Sequence, residues 1–115
     1  MKEGDIVLAL LPETDGRSKN RPTVVLRRMP GFVDLLVCGI STQLRQQVAD
    51  FDEIIEPSDA DFKPSGLKAS SLIRLGFLAV LPASSFLGTI GSISGQRHQR
   101  LLSKLSEHLQ PKDKI

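Results

Sequence analysis

The chain has 115 residues, a net charge of +2, 40% hydrophobic residues and 24% charged residues. This is enough sequence for one domain over residues 1–115, and the charge is too small to indicate a nucleic-acid-binding protein by itself. A single cysteine excludes an internal disulfide framework, and two histidines ten residues apart do not provide a zinc-binding spacing, so we expect no metal and no cofactor. No apolar run is long enough to span a bilayer and no signal-peptide pattern is present, which predicts a cytoplasmic protein.

Short apolar and β-branched runs predict strands in the N-terminal half. Residues 5–10 form the first candidate strand, and the polar residues 13–20 after it are typical of an exposed loop. The second candidate strand covers residues 23–28. Pro and Gly within residues 29–31 predict a turn, so residues 33–40 should return antiparallel to the second strand as a hairpin.

The second half predicts further strands and then a helix. Residues 51–55 form one candidate strand, and residues 71–81 form another that bends or bulges at Gly76. Five or six short strands with frequent turns indicate a small barrel or sandwich. Ser94 is a good N-cap for an amphipathic helix that ends near Pro111. The apolar stripe of this helix is Leu101, Leu102, Leu105 and Leu109, opposite Arg97, Arg100 and Lys104.

Three cations alternate along the chain just before the second strand. In an extended backbone Arg17, Lys19 and Arg21 project to the same side at intervals of roughly 6 to 7 Å, which suits a track of phosphates. The alternative is a surface loop that is charged for solubility. Arg21 stands apart because Pro22 restricts it to extended backbone, and a guanidinium held in this way can grip a phosphate through two parallel hydrogen bonds.

A hydroxyl cluster lies at the exit of the third strand, in the sequence GISTQ at residues 39–43. If the second and third strands are hairpin partners, Arg21 and Ser41 are neighbours across the end of the sheet. A hydroxyl beside an arginine suits a phosphate or an oxyanion. The alternative is that Ser41 forms a serine turn and caps its own backbone.

Five segments occur in the order GDIVLA, RPTVVL, VCGISTQ, GLKASSLIRL and IGSIS. In this order and at these intervals the chain resembles the MazF/PemK family of toxin endoribonucleases over nearly its whole length. The resemblance implies a mainly β fold, a small SH3-like β-barrel of the MazF/CcdB kind with a C-terminal α-helix, assembled as a homodimer. It also implies metal-independent cleavage of single-stranded RNA at short sequences, leaving a 2′,3′-cyclic phosphate and a 5′-hydroxyl.

The resemblance further implies roles for particular residues. The catalytic pair falls on Arg21 and Ser41, with Thr42 as the alternative hydroxyl because a shift of one residue turns a strand side chain to the other face. The resemblance also sets Ser71, the serine of the GLKASS segment, near the site. Together with Arg17 and Lys19 of the alternating cations, the residues expected to bind substrate are Gln43 and Ser71.

The chemistry of these groups limits what each can do. A guanidinium with a pKa above about 12 is a poor base, so Arg21 is expected to stabilise charge first and to donate a proton second. Ser41 would donate a hydrogen bond to a non-bridging oxygen. Many members of the family carry a glutamate in the loop before the Arg-Pro pair. Residues 17–20 lack one, and Glu13 or Asp15 could substitute as the base, although their spacing does not require it.

Neither histidine nor the cysteine is expected to take part in the chemistry. His98 lies beside the leucine stripe and His108 near the end of the helix, so packing or surface roles are favoured. Cys38 lies inside an apolar strand and is expected to behave as a small hydrophobic residue.

The remaining charged residues allow two interpretations. Arg27, Arg28 and Arg45 either extend an RNA-binding face or protect a strand edge from pairing. The acidic stretch 50–61 is expected on a surface away from RNA. Since the only aromatic residues are five phenylalanines, base stacking is limited to Phe and Arg planes, and hydrogen bonds are expected to set the sequence specificity.

The resemblance also defines partners and alternatives. A basic groove for RNA would also accept an acidic, partly disordered antitoxin, which would connect the protein to operator DNA only indirectly. One alternative is a non-cleaving toxin of the CcdB type, which inhibits DNA gyrase. Another is an inactive relative that binds an antitoxin or acts as a DNA co-regulator. The Arg-Pro pair together with the Ile-Ser-Thr-Gln sequence favours the nuclease.

Overall fold

The computed structural model of the chain describes residues 1–12 and 15–111. Its strands are β1 (Asp5–Pro12), β2 (Ser18–Arg28), β3 (Leu35–Ser41), β4 (Glu53–Ile55), β5 (Ser71–Leu81) and β6 (Phe86–Ser92). Its helices are α1 (Phe62–Ser65) and α2 (Gly95–Leu109), with single 3₁₀ turns at Leu44–Gln46 and Ala83–Ser85. Neither α1 nor α2 is long and apolar enough to cross a membrane.

The six strands form one antiparallel sheet in the order β4-β5-β3-β2-β1-β6, curled into a half-barrel with α2 after the last strand. The helix α1, which follows β4 at one edge, reaches across to β6 at the other. The backbone of α1 lies so close to β6 that a Cβ at Gly91 of β6 would come 2.3 Å from the carbonyl oxygen of Pro64 in α1. The predicted fold class, a barrel-like β fold with a C-terminal helix, is confirmed.

Two apolar cores lie on opposite faces of the sheet. Adjacent residues of a strand point to opposite faces, so the buried pair Val24 and Val25 contributes to both cores. The core on the α2 side contains Ile6, Val24, Leu26, Cys38, Ile40, Ile55, Ile73, Leu75, Ile93, Leu101 and Leu105. The core on the other face contains Val7, Val25, Leu35 and Val37.

The strand bounds differ from the sequence-based prediction mainly at β2. Residues 18–20 were expected in an exposed loop but belong to the strand, because β1 continues to Pro12 and pairs it with Ser18. The backbone ladder thus overrides the polar composition. The hairpin of β2 and β3 is confirmed, although β3 begins at Leu35, and β4 is shorter than expected. Strand β6 was not predicted, since its sequence FLGTIGS contains two glycines and no clear alternation.

The helix α2 begins and ends as predicted. The Ser94 hydroxyl accepts a hydrogen bond from the backbone N–H of Arg97 at 3.1 Å, which confirms the N-cap. Leu101 and Leu105 are buried, whereas Leu109 is exposed. The placement of Arg97 on the solvent side was wrong, because this residue is buried.

The burial of Arg97 has a physical reason, since three carboxylates surround its guanidinium. Nε lies 2.8 Å from Oδ2 of Asp61, Nη1 lies 3.0 Å from Oε1 of Glu53, and Nη2 lies 3.0 Å from Oδ2 of Asp59. Burial by itself would raise the pKa of Asp61, but hydrogen bonds from the Arg97 side chain and the Ser94 backbone outweigh it and lower that pKa. The acidic stretch 50–61, expected on a solvated surface, is therefore partly buried and anchors α2.

Candidate active site

Arg21 lies within β2 on the face of the sheet away from α2. It pairs with Ala9 of β1, and two residues further along Thr23 pairs with Val7, a residue of the core on that face. Side chains two residues apart in a strand share a face, so Arg21 projects to the same side as Thr23 and Val25. The side chain is half-buried and its backbone is extended on a paired strand.

Ser41 ends β3 on the same face. The register pairs Thr23 with Gly39 and Val24 with Cys38, and continuing it by two residues sets Arg21 opposite Ser41. Directly opposed residues of antiparallel strands have Cβ atoms roughly 4.5 to 5.5 Å apart. The hairpin thus brings a guanidinium and a hydroxyl from two strands to one end of the sheet.

The hydroxyl of Ser41 accepts a hydrogen bond from the backbone N–H of Gln43 at 3.0 Å. This is the serine turn that the sequence left open as an alternative. The hydroxyl is the acceptor in this bond, so its own proton can still be donated. Thr42 follows after the end of the strand and is exposed.

The basic track is shorter than the sequence suggested. Lys19 is exposed and pairs with Leu11, and it projects to the same face as Arg21 two residues away. Arg17 precedes the strand, with its N–H 3.0 Å from Oδ1 of Asp15 and its Nε 3.5 Å from Oδ2. The alternation therefore holds for Lys19 and Arg21. Asp15 faces Arg17, and Glu13, the other candidate base, lies outside the described residues.

Ser71 begins β5 and differs from the rest of the predicted site in its surroundings. It is buried, and its hydroxyl donates to the carbonyl oxygen of Ala69 at 2.8 Å. Its neighbour Leu72 pairs with Ser41, so Ser71 points to the opposite face. Ser71 has no exposed donor to offer a substrate.

The sequence analysis missed two residues of β5, Arg74 and Phe77, which lie on the same face of the sheet as Ser41. Arg74 pairs with Gly39, and its guanidinium carbon is 5.7 Å from the ring centroid of Phe77. The sequence contained one signal, since a glycine inside a strand, here Gly76, indicates a bulge, and bulges redirect side chains. Arg74 adds a third cation to a face that already carries Lys19 and Arg21.

The groups expected to stay out of the chemistry lie in structural surroundings. His98 Nε2 is 2.8 Å from the carbonyl oxygen of Leu26 on the α2 side of the sheet, which confirms its packing role. His108 contacts the ring of Phe51 with centroids 5.0 Å apart. Burial raises the pKa of the Cys38 thiol to about 12, as expected for a small hydrophobic residue.

Arg27 and Arg28 both contact one carboxylate at the far end of β2. The Nε of Arg27 lies 3.1 Å from Oε2 of Glu3, which also accepts the backbone N–H of Arg28 at 3.0 Å. The latter bond is the main cause of the lowered pKa of Glu3. Arg45 is exposed in the 3₁₀ turn after β3. Within residues 1–12 and 15–111, no three His, Cys, Asp or Glu side chains are arranged to hold a metal ion.

The side chains on this face of the sheet are suited to binding an anion. A guanidinium and an ammonium project from the same face of β2, two residues apart, and the extended register of β2 and β3 sets a hydroxyl opposite the guanidinium. An arginine supplies two parallel donors to a phosphate, and a hydroxyl can donate to a second oxygen of the same group.

The chain matches a known protein family, and its fold is similar to that of solved structures. The family model for the PemK-like, MazF-like toxin of type II toxin-antitoxin systems matches residues 2–109. No curated protein sequence matches the chain. The fold is similar to that of the Mycobacterium tuberculosis toxin MazF-mt6, with a TM-score of 0.66 at 20% identity over 90% of this chain and 93% of that one. It is also similar to an endoribonuclease in complex with its cognate antitoxin from a mycobacterial species, with a TM-score of 0.70 at 12% identity over 97% and 99% of the two chains.

Proposed function

The chain belongs to the PemK-like, MazF-like toxin family of type II toxin-antitoxin systems, and from that premise we propose that it is an endoribonuclease that cuts single-stranded RNA at short sequences. The observation that carries the proposal is the register of β2 and β3, which, continued by two residues, sets Arg21 opposite Ser41 on an exposed, cationic face. One of the similar structures is itself an endoribonuclease.

The proposed reaction uses the RNA's own nucleophile. The 2′-oxygen attacks the adjacent phosphorus, a bond forms between them, and the bond from phosphorus to the 5′-oxygen of the next nucleotide breaks. The 2′-hydroxyl gives its proton to a base, and the leaving 5′-oxygen receives one. The products are a 2′,3′-cyclic phosphate and a 5′-hydroxyl, and the enzyme needs to handle two protons and stabilise the charge on phosphorus.

The roles of the residues follow from their charges. Arg21 stabilises the negative charge that grows on the non-bridging oxygens, and its second role is to donate a proton to the leaving oxygen. Ser41 donates its free hydroxyl proton to one of those oxygens while its oxygen accepts from Gln43. Lys19 and Arg17 contact the flanking phosphates, and Gln43 contributes a polar contact to the RNA.

The general base is proposed to be a carboxylate of the segment between β1 and β2, either Glu13 or Asp15. Asp15 accepts a hydrogen bond from the Arg17 backbone and faces its guanidinium. Measuring the pH dependence of cleavage in Glu13→Gln and Asp15→Asn separates the two. In the variant that lacks the general base, the cleavage rate no longer falls at acidic pH. The other variant keeps that fall.

We propose two protein partners. One is a cognate antitoxin with an acidic, partly disordered segment that covers the cationic face, so that the protein reaches operator DNA only through it. The other is a second copy of the chain, forming a homodimer. Light scattering on the purified protein tests the dimer, because a monomeric mass at micromolar concentration contradicts it.

The function is tested with purified protein and a long single-stranded RNA in EDTA. Wild type is expected to cut at a short recurring sequence, and Arg21→Ala is expected to lose that cleavage. Arg27→Ala is the matched control, since it removes a guanidinium from the other end of the same strand, where it pairs with Glu3. If folded wild-type protein leaves the RNA intact, the proposal is wrong, and gyrase inhibition and operator binding become the next assays.

A further inference from the structure

The side chain of Phe77 is redirected by a bulge in β5. Gly39 of β3 pairs with Arg74, but the preceding residue, Cys38, pairs with Leu78. Residues 75–77 therefore have no partners on β3. A bulge of this kind re-aims side chains and is common beside active sites.

The ring of Phe77 lies against the β3 backbone at Gly39. A Cβ on Gly39 would come 2.5 Å from Cδ2 and 3.3 Å from Cγ of the ring, so glycine is the residue that leaves room for it. Gly39 and Ser41 are two residues apart in the strand, so a Cβ at Gly39 would point to the same face of the sheet as the Ser41 side chain. The ring thus rests on the face that carries Ser41, and Phe77 as a whole residue is 40% exposed.

Arg74 flanks the same ring. Its guanidinium carbon lies 5.7 Å from the ring centroid, within the range of a cation-π contact, and its backbone pairs with Gly39. The ring is therefore restrained by Gly39 on one side and by Arg74 on another. A restrained aromatic ring loses little conformational freedom when a ligand stacks on it.

The other phenylalanines are placed differently. Phe51 and Phe62 pack against the core on the α2 side, and Phe86 packs against the core on the opposite face. Phe32 is 81% exposed in the turn after β2, at the end of the sheet away from Ser41. Phe77 is thus the one phenylalanine that combines an exposed ring with a position beside the proposed site.

We infer that Phe77, seated on Gly39 and flanked by Arg74, is a stacking platform for one unpaired RNA base next to the cleaved phosphate. The inference rests on the proposed nuclease function. Gly39 and Ser41 are two residues of strand apart, roughly 6 to 7 Å, which is about one nucleotide of an extended strand. Single-stranded RNA is recognised by stacking its splayed bases on aromatic rings and guanidinium planes.

The test combines a protein variant with RNA in which a single nucleotide lacks its base. Once wild type has defined the cut site, a short oligonucleotide containing it is made with a 2′-deoxynucleotide before the scissile phosphate, so that it binds without being cut. A series of these oligonucleotides carries an abasic position at each flanking nucleotide in turn. We expect one abasic position to weaken binding to wild type by about 10-fold. Phe77→Leu should bind the intact oligonucleotide about 10-fold more weakly and be insensitive to that abasic position.

Two further variants keep the result interpretable. Phe32→Leu is the matched control and should bind like wild type at every position. Gly39→Ala retains the phenylalanine but displaces its ring, so it should reproduce the reduced sensitivity of Phe77→Leu at the same nucleotide. Thermal melting of each variant confirms that it is folded.

The outcomes separate this inference from the proposed function. If wild type cuts RNA and Phe77→Leu remains as sensitive to every abasic position as wild type, Phe77 is not a stacking platform. The proposed nuclease function is then unaffected. If wild type neither cuts nor binds RNA, the proposed nuclease function is wrong, and the stacking role of Phe77, which depends on it, is wrong too.

Discussion

Arg97 in the first turn of α2 places its Nε 2.8 Å from Oδ2 of Asp61, the residue that precedes α1. The same carboxylate oxygen accepts the backbone N–H of Ser94 at 3.0 Å. One aspartate therefore fixes the start of the C-terminal helix against the segment that follows β4. Because α2 covers one of the two cores, this contact helps to hold the sheet that carries Arg21 and Ser41.

Replacing Arg97 should strongly destabilise the fold. Arg97→Gln leaves the buried carboxylates of Glu53 and Asp61 without their guanidinium, a change that typically costs about 3–5 kcal/mol. Urea denaturation at pH 7 measures the loss in the free energy of unfolding. Arg100→Gln is the matched control, since the half-exposed Arg100 also contacts Glu53 but should cost about 1 kcal/mol or less. Equal losses in the two variants would contradict this account.

The stability should also decrease in acid through the same carboxylates. Burial would raise the pKa of Glu53, but hydrogen bonds from Arg100 and Lys104 hold that pKa below its usual 4.5, and the pKa of Asp61 is likewise below its usual 3.8. The unfolded chain therefore takes up these protons first as pH falls. Their contribution to stability is complete above the usual pKa values and is lost as the pH falls through the lowered ones. Urea titrations between pH 7 and pH 2.5 should show this decline, with a shallower one in Arg97→Gln.

Local signals were enough to predict much of the architecture. Ser94 caps α2 because its hydroxyl satisfies an N–H within its own helix turn. The glycine inside β5 predicted a bulge, and Gly76 lies in the part of β5 where the register with β3 shifts. The leucine stripe follows helical periodicity, and Leu101 and Leu105 are buried as expected.

The features that were missed depend on contacts between distant segments. Arg97 reads as a solvent-facing residue in its helix, and its burial is explained only by carboxylates that arrive from 36 to 44 residues earlier in the chain. Likewise, Ser18 joins β2 because Pro12 of β1 pairs with it. The role of Arg74 beside Phe77 depends on the register of β5 with β3, which composition does not reveal.

Cys38 should be unreactive in the folded protein. Burial raises the pKa of its thiol to about 12, so almost no thiolate forms at pH 8, and the sulfur is inaccessible. Treatment with a thiol reagent at pH 8 should give no modification until urea unfolds the chain. Thr42→Cys provides the control, because its exposed thiol should react at once in the folded protein. Rapid native modification of wild type would show that Cys38 is exposed.

His98 should affect stability and leave cleavage unchanged. Its Nε2 bonds the carbonyl oxygen of Leu26 at 2.8 Å, on the face of the sheet opposite to Arg21. His98→Ala should lower the free energy of unfolding by about 1 kcal/mol. The cleavage rate and its pH profile should match those of wild type. A lost limb of the pH profile would instead identify His98 as a catalytic base.

Ser41 and Thr42 should differ in their effect on cleavage. By the extrapolated register Ser41 lies opposite Arg21, whereas Thr42 follows the strand end, so Ser41→Ala should slow cleavage by about 10²-fold or more. Thr42→Ala should change the rate only slightly. Single-turnover cleavage of an RNA that contains the mapped cut site measures both variants. The reverse order of effects would assign the role to Thr42.

The measurement that tests the central claim most directly is the chemistry of the cut ends. Wild-type protein in EDTA is given an RNA with the mapped cut site, and the same RNA with one 2′-deoxynucleotide before the scissile phosphate. The account predicts a 2′,3′-cyclic phosphate and a 5′-hydroxyl from the first, and no cleavage of the second. Cleavage of the deoxy-substituted RNA, or products with a 5′-phosphate, would contradict attack by the 2′-hydroxyl and with it the roles given to Arg21 and Ser41.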